Sequence, residues 1–115
     1  MAFCEIEQAR YKKAVMQYVE SKRPAPHIRK ALDIGFRLHG QSIELFEVRP
    51  RWDDPAEILE IPVAKATYVK TRKQWKVFWM RADLKWHGYT PHLMVNSLQG
   101  FFSVVDADEH GCFWG

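Results

Sequence analysis

Apolar and polar positions change rhythm along this chain. Tyr11, Ala14, Val15, Tyr18 and Val19 recur at i, i+3, i+4, i+7 and i+8, while Lys12, Lys13 and Gln17 fall off that stripe. The spacing predicts an amphipathic helix from Glu5 to about Ser21. Arg23-Pro24-Ala25-Pro26 ends it, because proline has no backbone donor and restricts the residue before it.

The period then falls to two. Ile34, Phe36 and Leu38 alternate with Gly35, Arg37 and His39, Gly40-Gln41 supplies a turn, and Ser42 to Arg49 follows. This is a hairpin pattern. The alternation slips at Leu45-Phe46, the mark of a bulge or of a strand covered on both faces. Arg49 to Pro55 reads as a loop. Asp54-Pro55-Ala56-Glu57 reads as one helical turn, with Asp54 as N-cap, Pro55 first and Glu57 closing a capping box, before Pro62 stops it.

Val63 to Val69 and Trp75 to about Trp86 predict a second hairpin around Lys70-Thr71-Arg72-Lys73-Gln74. By parity, Phe78, Met80, Ala82, Leu84 and Trp86 form an apolar face, expected in the core. Trp75, Val77, Trp79, Arg81, Asp83, Lys85 and His87 form the other, mixed face. Gly88 to Pro91 ends the sheet. Leu98, Phe101, Phe102 and Val105 predict a short helix from about Ser97 with Asn96 as its N-cap. The result is an α+β fold: an N-terminal helix, a four-stranded antiparallel sheet built from two hairpins, and a short C-terminal helix.

Composition adds bounds. With 115 residues, 47% hydrophobic and 27% charged, the chain is expected to be one globular domain over 1–115. No apolar run approaches the roughly 18–20 residues of a membrane-spanning helix. The start, MAFCEIEQARYKK, has no secretory signal pattern, so a cytoplasmic location is expected. Cys4 and Cys112 are then expected as free buried thiols rather than a disulfide.

The net charge of +3 is an average over segments of opposite sign. Residues 1–30 carry +4, residues 31–62 carry −4 and residues 91–115 carry −3. Residues 63–90 hold seven Lys/Arg against one Asp, together with Tyr68, Trp75, Phe78, Trp79, Trp86 and Tyr89. Cations that offset phosphate, interleaved with flat rings that stack bases, suit RNA or single-stranded DNA. On the mixed strand face the candidate contacts are Trp75, Trp79, Arg81, Lys85 and His87. Lys70, Arg72 and Lys73 join them from the loop, and Arg37 and His39 extend the surface if the hairpins pack in order. The plainer account is that strand aromatics are core and loop lysines serve solubility.

Chemistry-bearing patterns are sparse. Asp83-Leu84-Lys85 matches the D-x-K element of a class of metal-dependent nucleases, with Glu47 or Glu44 as the earlier acid. The element is short and common, and Glu47 has Arg49, Arg51 and Lys65 as ion-pair partners instead. Asp106, Asp108, Glu109, His110 and Cys112 are ligand types, but they lack zinc or EF-hand spacing. His87 and His92 share a loop without further ligand spacing. No nucleophile elbow, phosphate loop or dinucleotide fingerprint occurs. Neither a cofactor nor a metal is expected, and catalysis is not indicated.

Three strings carry a resemblance: Glu47 to Trp52, Pro62 to Lys70, and Trp75-Lys76-Val77-Phe78-Trp79-Met80-Arg81-Ala82-Asp83-Leu84-Lys85-Trp86-His87. With Pro24 to His27 and the closing Cys112-Phe113, they make the chain similar, over nearly its whole length, to a bacterial family classed as domain of unknown function 3024. The resemblance implies a small stand-alone bacterial protein and brings no reaction, substrate or catalytic residue. Three functions stay open: a nucleic-acid-binding module on the basic, Trp-bearing sheet face, a homodimer through the same patch, and a hydrolase using Glu47, Asp83 and Lys85.

Overall fold

The computed structural model describes residues 3–114. Glu5–Lys22 forms helix α1. Its start is held by the Glu7 carboxylate, which accepts the Cys4 backbone N–H at 3.2 Å. Its end is fixed by Arg23, whose Nε and Nη2 donate to the two oxygens of Asp33 at 2.9 and 2.8 Å. A bidentate pair of this kind orients as well as attracts. It ties the helix terminus to the first residue of the sheet across the proline connector.

The strands are β1 (Asp33–His39), β2 (Ser42–Arg51), β3 (Asp54–Val69), β4 (Gln74–Met80), β5 (Trp86–Gly88) and β6 (Met94–Val95). Helix α2 spans Leu98–Ala107. All pairings are antiparallel, in the order β1-β2-β3-β4-β5. β6 shares the outer edge of β4, opposite Trp75 and Lys76. The architecture is the expected α+β one, with two short strands more than the four expected. β6 comes from Met94–Val95, beyond the end expected for the sheet, and β5 arises because the Trp75–Trp86 segment is not one strand. It breaks after Met80, turns through Arg81–Lys85 and returns as β5.

That break corrects the face assignment. Ala64, Ala66 and Tyr68 of β3 lie opposite Trp79, Val77 and Trp75 of β4. Ile43 and Leu45 of β2 lie opposite Ala66 and Ala64, and Leu38 and Phe36 of β1 complete the rows. Residues directly opposite share a face, and this is the face that α1 and α2 cover. Val15, Val19, Phe101 and Val105 pack onto it, with Ile43, Leu45, Ala64, Ala66 and Val77 inaccessible or nearly so. The mixed face of β4 is therefore the core face. Within β4 the core face is the more apolar, Trp75, Val77 and Trp79 against Gln74, Lys76, Phe78 and Met80, and the count that favoured Phe78 and Met80 borrowed Ala82, Leu84 and Trp86 from beyond the turn.

The slip at Leu45-Phe46 is a bulge. Leu45 pairs with Ala64 and Phe46 with Pro62, which leaves Val63 as the extra residue on β3. Proline is tolerated there because a bulge removes the demand for a ladder donor. The helical turn read at Asp54–Glu57 does not form. Those residues open β3, and the ladder continues through Ile61, Glu60, Leu59 and Ile58 opposite Glu47, Val48, Arg49 and Pro50. The local capping signal survives only as a contact from the Ala56 N–H to the Asp54 carboxylate at 3.3 Å. Cross-strand bonds over the whole segment outcompete one turn of helix. The N-cap of α2 is Ser97 and not Asn96. Ser97 Oγ accepts the Gly100 N–H at 3.1 Å, while the Asn96 side chain accepts from Gln74 at 2.8 Å.

The helices clasp each other through Tyr18. Its ring stacks on Phe102 at 4.3 Å and its hydroxyl donates to Asp106 at 2.6 Å. Lys22 reaches the same carboxylate at 3.1 Å. Burial, and then the bond to Asp106, push the Tyr18 hydroxyl well above its usual range. No helix among the described residues is long and apolar enough to cross a membrane. Cys4 and Cys112 are both free, but neither is buried: Cys4 is exposed and Cys112 half-buried.

The Arg23–Asp33 pair makes a prediction about pH. The guanidinium holds the Asp33 carboxyl below its usual range. A carboxyl depressed by folding contributes stability that is complete above its unfolded value and lost as pH falls through the folded one. Asp33→Asn should lower the urea midpoint at neutral pH. The gap from wild type should close as pH falls through and below the carboxylate range, near 4. A gap of constant size in urea titrations over that range would refute the linkage.

Candidate nucleic-acid interface

With both helices on one face, the other face of the sheet is uncovered. Its rows follow from the register. Arg37, Glu44, Lys65, Phe78 and Gly88 form one, and His39, Ser42, Thr67, Lys76 and Met94 the next. Gly35, Phe46 and Pro62 lie on the other side of the first row, where Met80 and Trp86 form a pair of their own. Phe46 lies over Gly35 so closely that a Cβ there would sit 2.6 Å from its ring. Glycine in that strand position makes room for the neighbouring aromatic.

Each ring on this face has a cation against it. Arg37 stands 4.6 Å from the Phe46 centroid. Lys65 stands 4.8 Å from Phe78 and 5.3 Å from Trp86, and Lys76 stands 5.1 Å from Phe78. These are cation–π distances. Charge is uneven across the face. On the β1–β2 side Arg37 pairs with Glu60, and Glu44 lies between Arg37 and Lys65 in the register, so charge there is balanced. On the β3–β5 side Lys65 and Lys76 flank Phe78 and Trp86, and the acid in their rows is Glu44, across the ladder from Lys65 on β2. A depression of about 260 Å³ lined by Arg37, Phe46, Glu60, Pro62 and Trp86 opens between the two halves. It lies below the roughly 300–1,000 Å³ of ordinary small-molecule pockets.

The residues singled out from sequence are dispersed. Trp75 is only 3% exposed and is enclosed by Phe3, Tyr11 and Tyr68 at 5.7, 5.1 and 5.1 Å, so it offers no stacking face. Trp79 is half-buried against the core, with the Arg81 guanidinium 5.5 Å from its ring. His87 lies opposite Trp79 on β5, and its Nε2 contacts Asp83 at 2.8 Å. Lys70, Arg72 and Lys73 occupy the exposed turn before β4, and Arg81 and Lys85 the exposed turn after it. The two turns sit at opposite ends of a strand about 20 Å long. Arg37 and His39 belong to the uncovered face and not to the Trp75–Trp79 face. Phe46, Phe78 and Trp86 were missed as surface residues. The signal for them was the Lys76-Val77-Phe78 alternation, which puts a lysine and a ring on one side.

Glu47, Asp83 and Lys85 are not brought together. Glu47 binds Arg49 on β2, while Asp83 binds His87 and the Lys85 N–H in the turn after β4. β3 lies between β2 and β4, which sets those strands about 10 Å apart. The His87 bond, first among the causes, holds Asp83 below its usual range. In the tail, Asp106 serves the α1–α2 clasp, and Asp108 accepts the Phe113 and Trp114 N–H groups at 3.0 and 2.9 Å. No group of three or more His, Cys, Asp or Glu that could hold a metal ion occurs among the described residues.

Fold and face together define a two-layer α+β protein whose antiparallel sheet is roofed by helices on one side and open on the other. The chain belongs to the family described as Domain of unknown function (DUF3024), whose model matches residues 3–115. No curated protein and no solved structure matches it.

The two faces predict different costs of truncation. Trp75→Ala empties a filled core position and should cost about 3–5 kcal/mol. Phe78→Ala removes a half-exposed ring and should cost about 1 kcal/mol. Chemical denaturation of the two variants measures this, and the reverse order would overturn the face assignment.

Proposed function

We propose that the protein is a non-catalytic module binding single-stranded nucleic acid, RNA or DNA, on the uncovered sheet face. One observation carries the reading: the β3–β5 half of that face presents Phe78 and Trp86 with Lys65 and Lys76 against them. The rings stack bases, each worth about 1–3 kcal/mol, and the lysines leave the rings for phosphates. The basic turns at the two ends of β4, Lys70 to Lys73 and Arg81 to Lys85, extend the strip along the strand in both directions. Trp75 takes no part in this surface. The half-buried Trp79 also faces the other way, with the core.

Fluorescence anisotropy with labelled single-stranded RNA and DNA tests the reading. Binding should be tightest at low salt and fall linearly in log–log form as salt rises. Phe78→Ala should weaken it about tenfold, matching loss of one stacking contact. Lys65→Ala with Lys76→Ala should weaken it and lower the salt slope by about two. Unchanged anisotropy at low salt with both polymers would refute the proposal.

A further inference from the structure

The ladder between β2 and β3 outruns the rest of the sheet. β1 accompanies β2 only to Val48, and β4 accompanies β3 only from Ala64. Beyond those points Arg49–Arg51 and Asp54–Leu59 form a two-stranded arm, with all of residues 51–60 exposed. A two-stranded ribbon with nothing packed on it is marginal in water. The outer edge of its β3 strand reads Ala56-Glu57-Ile58-Leu59-Glu60-Ile61, bracketed by Pro55 and Pro62. It contains neither the lysine nor the internal proline that protects free edges. Ile58 and Leu59 are 56% and 36% exposed.

We infer that this edge pairs with the same edge of a second copy of the chain, forming a two-fold dimer in which the arm tip of each copy seats on the Arg81–Lys85 turn of the other. The edge pairing does not rest on the nucleic-acid reading, which uses the sheet face; the two share only the Arg81–Lys85 turn, which the dimer would cover. A two-fold axis sets one strand antiparallel to its own copy. Centred on Ile58, the axis puts Ile58 opposite itself, Glu57 opposite Leu59 and Glu60 opposite Ala56, with no like charges facing. Centred one residue earlier, on Glu57, it would put that carboxylate opposite its own copy, which is unfavourable.

The same register decides what happens at the ends. The incoming strand runs in line with β4 beyond Met80, with Asp54 opposite Pro62 of the first copy. The tip, Trp52-Asp53-Asp54, then meets the Arg81–Lys85 turn. The tip is acidic, and Arg81 and Lys85 are exposed cations. Trp52 and Leu84 are the two most exposed large apolar side chains among the described residues, at 93% and 81%. Leu84 is displayed by a left-handed backbone, φ 62°, where a turn usually carries glycine. Two-fold symmetry makes the tip-to-turn contact twice, once at each end of the shared ladder.

Sedimentation velocity of the full chain tests this. Wild type should sediment at twice 13.6 kDa. Ile58→Lys, which puts a charge on the edge, should be monomeric with unchanged far-ultraviolet circular dichroism, which shows that the fold is kept. Asp53→Lys with Asp54→Lys should weaken the dimer at least tenfold, and adding Arg81→Glu and Lys85→Glu should restore it. Three results would each overturn the proposal. The first is a wild-type monomer up to about 0.5 mM, far above the range of specific interfaces. The second is a dimer insensitive to Ile58→Lys. The third is a quadruple variant that stays as weak as the double one.

Discussion

The register between β3 and β4 is the constraint on which the rest of the structure depends. Placing Ala64, Ala66 and Tyr68 opposite Trp79, Val77 and Trp75 decides which side of the sheet is filled. Two alanines at the centre leave room for α1 and α2 to approach, and the tryptophans at either end wall the space between helices and sheet. A shift of one residue would turn every side chain of β4 over. Trp75 would go into water, and Lys76 and Phe78 would go under the helices. The helix clasp at Tyr18, Phe102 and Asp106 and the Arg23–Asp33 tie presuppose that this side is covered.

The uncovered face follows from the same choice. Once the helices take one side, the alternation leaves Phe78 and Lys76 on the other, with Lys65 from β3 and Trp86 from β5 beside them. The rings here are half-buried by the aliphatic stems of lysine and arginine rather than by a second layer. Such stems cover apolar surface while the charge stays in water. This keeps the face from being an open hydrophobic patch, yet lets its covering groups be displaced. The β1–β2 side differs, because the Arg37–Glu60 pair neutralises it.

The bulge at Pro62-Val63 separates the body of the sheet from the arm. Below it β3 lies between β2 and β4, and above it β3 has β2 alone. An extra residue bends and twists the strand, so body and arm need not share one plane. The arm has no core of its own. Its basic groups are met by neighbouring acids, Arg49 by Glu47 and Arg51 by Asp53 and Glu57, and what remains outward is apolar side chain, unpaired backbone and the Asp54 carboxylate.

Much of this was legible in the chain. The helix stripe from Tyr11 to Val19, the hairpin at Gly40-Gln41, the slip at Leu45-Phe46 and the Phe101–Val105 helix rest on contacts a few residues apart, and periodicity reports those directly. The α+β class follows from their order. Three things were not legible. The face of β4 depends on what lies across the ladder, and the turn at Arg81–Lys85 carries no glycine or proline to announce where parity counting must stop. The extension of β3 through Asp54–Ile61 required Glu47 to Pro50 as partner, against a local signal for a helical turn. The candidate site moved with the face, from Trp75 and Trp79 to Phe78 and Trp86. Local periodicity determines elements because neighbours along the chain set it. Which side of an element meets solvent is set by residues far away in sequence, so only the assembled sheet could decide it.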